Sequence, residues 1–325
     1  ALSDRRRIVV VAPATAMSAA VMALPQASDI ARSVDLLFFS MLGLTGVVAI
    51  AVATLIVVFA VRYRRGSTAD RSAAPIRGRR LEIAWTLVPL AIFFGIFAWG
   101  AVVYGRFYRP PPGAMPVYVV GKQWMWKLQH TNGRREINEL HLPLGEPVRL
   151  VLTTQDAIHS FFVPAFRIKQ DAVPGRYTTI TFTPTQLGTF DLRCAEYCGT
   201  DHARMTGRIV VMQPAEFRRW LAAGVQGNTM AARGFELFRA HGCSGCHSAR
   251  STVHAPDLTG VAGGPVHLAD GRTMIADDGY LRDSMLLPTK DVVAGFEPVM
   301  PSFVGQLSEE DILDLIAYLK SQRPQ

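Results

Sequence analysis

Two long apolar runs near the start of the chain set the strongest limit on how it can fold. Residues 36–61 and residues 83–105 form runs of 26 and 23 positions, and neither run contains a charged side chain. About 20 apolar residues are enough for a helix to cross the hydrocarbon core of a bilayer. The two runs therefore predict a transmembrane helical hairpin over residues 34–105, and they argue against buried helices of a soluble protein.

The segment between the two runs orients the hairpin. Residues 62–80 read RYRRGSTADRSAAPIRGRR, with seven arginines and one aspartate in 19 positions. Short loops rich in arginine and lysine stay on the cytoplasmic side of a membrane. The sequence therefore predicts that this loop is cytoplasmic and that everything after residue 105 lies on the opposite side.

The first residues resemble an export signal. Three arginines at residues 5–7 precede an apolar stretch over residues 8–24, and the tetrapeptide PQAS follows. A charged start, a short apolar segment and a small-residue cleavage region are typical of a secretory signal peptide. Residues 1–27 are therefore predicted to be a signal-peptide-like segment with cleavage near Ala27, although the region has no clean A-x-A motif.

The excess of basic residues lies in the part of the chain that contains the two apolar runs. The formal charge is +8, and residues 1–110 carry 13 basic and five acidic residues, whereas residues 111–325 carry 21 of each. A nucleic-acid-binding domain clusters its cations on one soluble face. The exported half shows no such excess, so nucleic acid is not an expected partner.

The exported half changes character along its length. Over residues 113–212, apolar and polar side chains alternate in short runs, with Gly and Pro turns between them, which predicts an antiparallel β sandwich or barrel. Residues 213–228 are predicted to be a short helix and a linker. Residues 229–325 have apolar residues at helical spacing, so this block is predicted to be a small all-α domain.

The last helix has a recognisable start and an apolar face. Ser308 is a predicted N-cap, with Asp311 three residues later. The face predicted to be buried consists of Ile312, Leu315, Ile316 and Leu319.

All four cysteines lie in two short clusters. The second cluster, CSGCH at residues 243–247, is the attachment signature of c-type heme. Two thiols add to the heme vinyl groups, and the adjacent histidine reaches the iron. Cys243 and Cys246 are therefore the predicted thioether positions, and His247 is the predicted proximal ligand. A thioredoxin-like motif would need a βαβ context and a zinc site would need another cysteine pair nearby, and neither accompanies residues 243–247.

The sixth ligand of this heme has to come from a later part of the chain. The candidates are Met274, Met285, Met300, His254 and His267. Met300 stands in EPVMPSF, just before the last helix. The block resembles class I cytochromes c over about residues 229–322, and in that family a Met-Pro loop before the last helix supplies the axial sulfur. Met300 is therefore the predicted axial ligand, and methionine ligation raises the heme potential.

The first cluster, CAEYCGTDHARM at residues 194–205, suits copper better than a disulfide. An exported compartment permits a bond between Cys194 and Cys198. However, His202 and Met205 follow at short intervals, and thiolate, imidazole and thioether form the soft ligand set that selects copper. One type 1 copper uses a single cysteine, so two cysteines fit a copper pair bridged by two thiolates. A second histidine is then required, and His159 in DAIHSFFVPAF supplies it.

These motifs together resemble subunit II of cytochrome c oxidase. AIHSFFVPAFRIKQDAVPGR and CAEYCGTDHARM stand behind a two-span hairpin, and the resemblance covers about residues 30–212. It implies a cupredoxin-like domain that holds the binuclear copper centre CuA. The ligands implied by the resemblance are His159, Cys194, Cys198, His202, Met205 and the backbone carbonyl of Glu196.

The resemblance implies three further roles. The Glu196 side chain is expected to bind a magnesium ion shared with subunit I. Trp124, in GKQWMWKL, is expected to pass electrons to CuA, whereas Trp126 either assists or packs. Glu82, at the start of the second span, is expected to mark the mouth of a proton pathway, although an acid at a helix end also has a plain structural explanation.

The function expected from the sequence is electron entry into a heme-copper terminal oxidase of the bacterial inner membrane. Electrons from a soluble or membrane-bound donor would pass through heme c and CuA to subunit I, where oxygen becomes water; subunit III and membrane lipid are further expected partners. The alternative is a membrane-anchored cupredoxin–cytochrome shuttle that joins no oxidase. A quinol oxidase subunit lacks these cysteines, and a nitrous-oxide reductase needs a histidine-rich propeller, which eight histidines exclude.

The two exported domains carry opposite charge. Residues 111–228 hold 13 basic and nine acidic residues, and residues 229–325 hold eight basic and 12 acidic residues. Net charges of +4 and −4 predict that the domains dock electrostatically and align the heme with Trp124. Salt is then expected to weaken the docking.

Overall fold

The structure is a computed structural model, and it describes residues 25–71, 78–223, 229–248, 251, 253 and 255–322. Most of the signal-like segment and the candidate ligand His254 lie outside these residues.

Two long helices come first in the described chain. Helix α1 spans Ala31–Arg62 and helix α2 spans Arg79–Tyr108. In the most apolar 18-residue window of each helix, 0% and 6% of the residues are buried. Helices of this length with exposed apolar side chains have the dimensions and composition of membrane spans. The predicted hairpin is therefore confirmed.

Ten strands follow and form a sandwich of two five-stranded sheets. The strands are β1 (Met115–Lys122), β2 (Met125–His130), β3 (Arg135–Ile137), β4 (Glu139–Pro143), β5 (Val148–Thr154), β6 (His159–Val163), β7 (Ile168–Ala172), β8 (Thr178–Phe182), β9 (Gly188–Cys194) and β10 (Thr206–Met212). The first sheet has the order β3-β2-β1-β5-β8, and the second has the order β4-β10-β9-β6-β7. The predicted sandwich is confirmed, but β1–β5 and β10–β4 are parallel pairs. Each of these pairs joins strands that are not consecutive in the chain, so the connection passes through the other sheet.

The segment before α1 belongs to the sandwich. Ala27 is fully buried in the sandwich core. Its amide donates to the carbonyl of Ala165 at 2.9 Å, and its carbonyl accepts from the amide of Thr185 at 2.9 Å. A bidentate ion pair from Arg167 to Asp35, at 2.7 and 3.0 Å, ties α1 to the same region. Cleavage near Ala27 stays a prediction, and a cut directly after this residue would remove these contacts.

The predicted linker begins with a helix that is packed on the sandwich. Helix α3 spans Pro214–Ala223. Its Trp220 ring stacks on the His141 ring with centroids 4.3 Å apart, and the Arg134 guanidinium lies 3.6 Å from the Trp220 centroid. Only a few residues therefore separate a helix fixed to the sandwich from the domain that follows.

The C-terminal domain is helical. Its elements are α4 (Met230–Ala240), α5 (Cys243–Cys246), β11 (Pro265–His267), β12 (Thr273–Ile275), α6 (Asp278–Leu286) and α7 (Glu309–Ser321). Helix α7 starts at the predicted Ser308 cap, and its predicted apolar face is buried. The helical fold is confirmed, and a two-stranded ribbon of β11 and β12 is added to it. Helices α4 and α7 cross at Gly234, where a Cβ atom would lie only 2.0 Å from the carbonyl oxygen of Asp314.

Candidate copper and heme sites

Strand register brings the predicted copper ligands to one end of the sandwich. His159 is the first residue of β6, and Cys194 is the last residue of β9. These strands pair with Phe161 opposite Cys194. The loop between β9 and β10 carries Cys198, His202 and Met205, and the Cys194 amide donates to the Met205 carbonyl at 3.1 Å, which closes this loop.

Two thiols form the centre of the site. The Sγ atoms of Cys194 and Cys198 are 3.8 Å apart, well beyond the disulfide bond length of about 2.05 Å. Nδ1 of His159 lies 3.9 Å from Sγ of Cys194, and Nδ1 of His202 lies 3.5 Å from Sγ of Cys198. Each thiol therefore faces the other thiol and one imidazole nitrogen.

The remaining predicted ligands lie against these thiols. Sδ of Met205 is 3.8 Å from Sγ of Cys198, and the Glu196 carbonyl oxygen is 3.3 Å from Sγ of Cys194. The ligand atoms of His159, Cys194 and Cys198 all lie within 4.8 Å of one another. This mixture of sulfur, nitrogen and carbonyl donors fits copper.

The acidity of the two thiols is strongly split. Burial raises the pKa of Cys198, and the nearby Cys194 charge raises it further, to about 12. Burial also opposes ionisation of Cys194, but hydrogen bonds to His159 and to the backbone at Ser160 and Glu196 lower its pKa to about 6. Both cysteines can be thiolates together only if cations compensate the two charges, as a metal site does.

Asp156 and Gly121 orient one histidine, and the sequence motifs did not predict either role. Nε2 of His159 donates to Oδ1 of Asp156 at 2.8 Å, which leaves Nδ1 free to face the thiols. A Cβ atom on Gly121 would lie 2.8 Å from Cδ2 of His159, so only glycine leaves room for the ring. The position of Asp156 three residues before His159 was an available signal, whereas Gly121 is brought close only by the fold.

Trp124 lies against the loop that carries the copper ligands. A Cβ atom on Gly199 would be 3.2 Å from Cζ2 of Trp124. The neighbouring Gln123 donates from Nε2 to the Cys198 carbonyl at 2.8 Å. Trp126 instead is fully buried, with its ring 5.9 Å from the His159 ring. Glu82 is exposed in the first turn of α2.

A cavity of about 610 Å³ adjoins the CSGCH helix. Its lining includes Cys243, Cys246 and His247, together with Met300 from the stretch before α7. Nδ1 of His247 donates to the Pro256 carbonyl at 2.9 Å, which leaves Nε2 available as a ligand. The cavity, the two free thiols and the oriented imidazole fit a covalently attached heme.

Two other candidates for the sixth ligand share this lining. Met285 and His267 also line the cavity. Met285 is 8% exposed within the domain core, and Nδ1 of His267 lies 3.0 Å from the Thr273 hydroxyl. Met300 remains the predicted ligand.

Comparisons with known proteins cover most of the chain. Residues 16–100 match the transmembrane domain of cytochrome c oxidase subunit II, residues 135–213 match its periplasmic domain, and residues 231–323 match cytochrome c. These matches place copper with the sandwich and heme c with the helical domain.

Curated relatives of this chain are named cytochrome c oxidase subunit 2. Cytochrome c oxidase subunit 2 of Alkalihalophilus pseudofirmus is 31% identical over 84% of this chain and 82% of its own length. The subunit 2 of Thermostichus vulcanus is 32% identical over 60% of this chain and 76% of its own length. A crystal structure of the periplasmic domain of subunit II of the Bradyrhizobium japonicum oxidase is 30% identical, with a TM-score of 0.34, and covers 36% of this chain and 96% of that one. The relative matched over 84% of this chain, together with the three family matches, shows that the chain is a membrane-anchored member of the cytochrome c oxidase subunit II family, with a cytochrome c domain fused at its C-terminal end.

Proposed function

We propose that this chain is the electron-entry subunit of a heme-copper terminal oxidase. It receives electrons from an external donor at heme c and delivers them through CuA to subunit I, where oxygen is reduced to water. It lies in a bacterial inner membrane, with both metal domains on the periplasmic side. Subunit III and membrane lipid complete its surroundings.

The observation that carries this proposal is the ligand shell around the two thiols. The pair of Sγ atoms 3.8 Å apart has one imidazole at each thiol, and a thioether and a carbonyl complete the set. Cys198 is 3% exposed, and His159 and Met205 are fully buried. When bound, copper and heme each accept and release single electrons. The chain holds the proposed copper ligands in a rigid sandwich, and this limits rearrangement when the charge of the copper centre changes.

Three residues are proposed to connect this subunit to the oxidase. The Glu196 carboxylate is exposed beside the copper loop, where it can bind magnesium shared with subunit I. Trp124 lies against the same loop and is proposed to pass electrons to CuA. Glu82 lies in the first turn of the second membrane helix and is proposed to admit protons. Simple electron shuttling needs neither Glu82 nor Glu196, so both favour the oxidase over a free shuttle.

Electron paramagnetic resonance of the oxidised, purified chain tests the proposal. One unpaired electron shared by two copper nuclei splits into more hyperfine lines than an electron held on one nucleus. We expect the two-nucleus pattern. A one-nucleus pattern would show that the second cysteine is no bridge, and the chain would then be a membrane-tethered cupredoxin–cytochrome shuttle.

Substitution of Met300 tests the axial ligand of the heme. Met300→Ala is expected to lower the heme reduction potential by on the order of 100 mV, because methionine ligation raises it. A redox titration followed by heme absorbance measures the change. Met285→Leu is the matched control, since Met285 lines the same cavity and should leave the potential nearly unchanged. The assignment is wrong if the Met285 variant shows the large drop instead.

A further inference from the structure

The central strand of the first sheet, β1, is buried on both of its faces. Along β1, Val117 and Val119 point into the sandwich core and are fully buried. The intervening Tyr118 and Val120 point to the outer face, yet they are only 4% and 2% exposed. The outer face of such a sheet is normally solvated and polar. Another part of the chain must therefore cover the outer face at Tyr118 and Val120.

The heme domain is what covers this face. Tyr118, Val120 and Val151 of the sheet form one apolar cluster with Met230 of α4 and Leu313 of α7. Met230 and Leu313 are each 1% exposed. The contact thus has the dry apolar centre of a stable interface rather than that of a transient encounter.

A buried carboxylate lies beside this apolar centre. Asp314 of α7 is 1% exposed. It accepts hydrogen bonds from Gln129 at 2.7 Å and from Arg135 at 3.2 Å, both in the sandwich. Arg233 of α4 donates two more, at 2.8 and 2.9 Å. A buried charge is tolerated only when its hydrogen-bonding capacity is filled, and here both domains are needed to fill it.

A second polar contact reaches the strand end that leads to the copper site. Glu310 of α7 accepts from Lys127 and from Gln155, each at 2.5 Å. Gln155 directly precedes Asp156, whose carboxylate holds His159 and also accepts from the backbone amide of Gln123 at 2.8 Å. The docking contacts and the ligand-orienting contacts therefore share one short turn.

We propose that the heme domain is seated permanently on the outer face of the first sheet, with Asp314 as the positioning residue of the interface. Given the proposed function, heme c is then a fixed internal donor and not a swinging one. Because the apolar centre and Asp314 are shielded from solvent ions, docking is insensitive to salt. The salt-sensitive docking expected from net charge alone stays a prediction, and it requires the opposite response to salt.

Zero-length cross-linking of the full metal-loaded chain tests the docking without any electron transfer. A carbodiimide should join Lys127 to Glu310, and peptide mass spectrometry should find this link equally at about 50 mM and about 500 mM salt. The Lys320–Asp278 pair, 2.6 Å apart within the heme domain, is the positive control at both salt concentrations. Loss of the interdomain link alone at high salt would overturn the proposal.

Two variants are designed to disrupt the contact between the domains while each domain still folds and binds its metal. Val120→Asp places a charge in the apolar centre and should abolish the Lys127–Glu310 link. The double variant Gln129→Ala, Arg135→Ala removes partners of Asp314 without touching the heme domain. Arg208→Ala is the matched control, because Arg208 pairs with Glu139 on the other sheet. Heme absorbance and the copper resonance confirm that each variant is loaded, and a persistent link in both loaded interface variants contradicts the proposal.

Flash-induced electron transfer from heme c to CuA gives the functional readout. The wild-type rate should change by less than about twofold over that salt range, and the double variant should be at least about tenfold slower. A wild-type rate that falls steeply with salt would refute fixed docking. If the link persists but the wild-type heme never reduces CuA, the proposed electron route is wrong and the docking stands.

Discussion

A Cys198→Ser variant is expected to lose the binuclear copper centre and to keep its heme. Sγ of Cys198 contacts the Cys194 thiol, the His202 imidazole and the Met205 thioether, so one substitution breaks all three relations. Serine is a hard, poorly acidic donor that does not bridge copper. Loss of metal-orienting contacts alone costs about 10–100-fold in affinity, so loss of this ligand should exceed about 100-fold.

Elemental analysis and the copper resonance measure this result. We expect fewer than two coppers per chain, no two-nucleus hyperfine pattern, and an unchanged heme spectrum. Ala203→Ser is the control, since it adds a serine to the same loop at an exposed position. A Cys198→Ser chain that still binds two coppers with shared spin would show that this thiol is not a bridge.

A Gly234→Ala variant is expected to destabilise the heme domain severely. The added Cβ would lie 2.0 Å from the Asp314 carbonyl oxygen and 2.7 Å from Cβ of Tyr318. The first obstacle is backbone, which cannot rotate away, so helices α4 and α7 would have to separate. We expect a loss of about 3 kcal/mol in the free energy of unfolding.

Denaturant unfolding followed by heme absorbance measures the effect. Gly245→Ala is the matched control, because a Cβ there would meet nothing within 4 Å. Its unfolding midpoint should stay close to that of the wild type. Equal midpoints for Gly234→Ala and Gly245→Ala would contradict the close helix crossing.

The heme attachment signature and most of the proposed copper ligands could be found from the sequence because they are local. Cys194, Cys198, His202 and Met205 lie in one stretch of 12 residues, and their spacing carries the chemistry. The hairpin was equally accessible, since a bilayer imposes a length on any apolar helix. Only His159 had to be brought in from another part of the chain.

The contacts that orient His159 could not be found in this way. Gly121 lies 38 positions before His159, and nothing in its own surroundings marks it as special. It leaves room for the imidazole ring only because β1 passes behind this ring in the folded sandwich.

The contact between the heme domain and the first sheet could not be predicted from the sequence for a different reason. Leu313 lies next to the predicted apolar face of α7, and the apolar residues of β1 read as an ordinary buried strand. Periodicity shows that a side chain is apolar, but it does not show which neighbour covers it. Net charge likewise predicted attraction between the domains. The centre of their contact, however, is an apolar cluster with one buried carboxylate beside it.

The amino-acid sequence alone determined two features of this protein. The first is the chemistry of its two cysteine clusters, whose residues are close together in the chain, and the second is the pair of long apolar helices that a bilayer requires. The register of β1, β6 and β9 at the copper site, and the seating of α4 and α7 on the first sheet, emerged only on folding. These features depend on contacts between residues far apart in the chain, because the face that a strand or helix buries is decided by the element that packs against it.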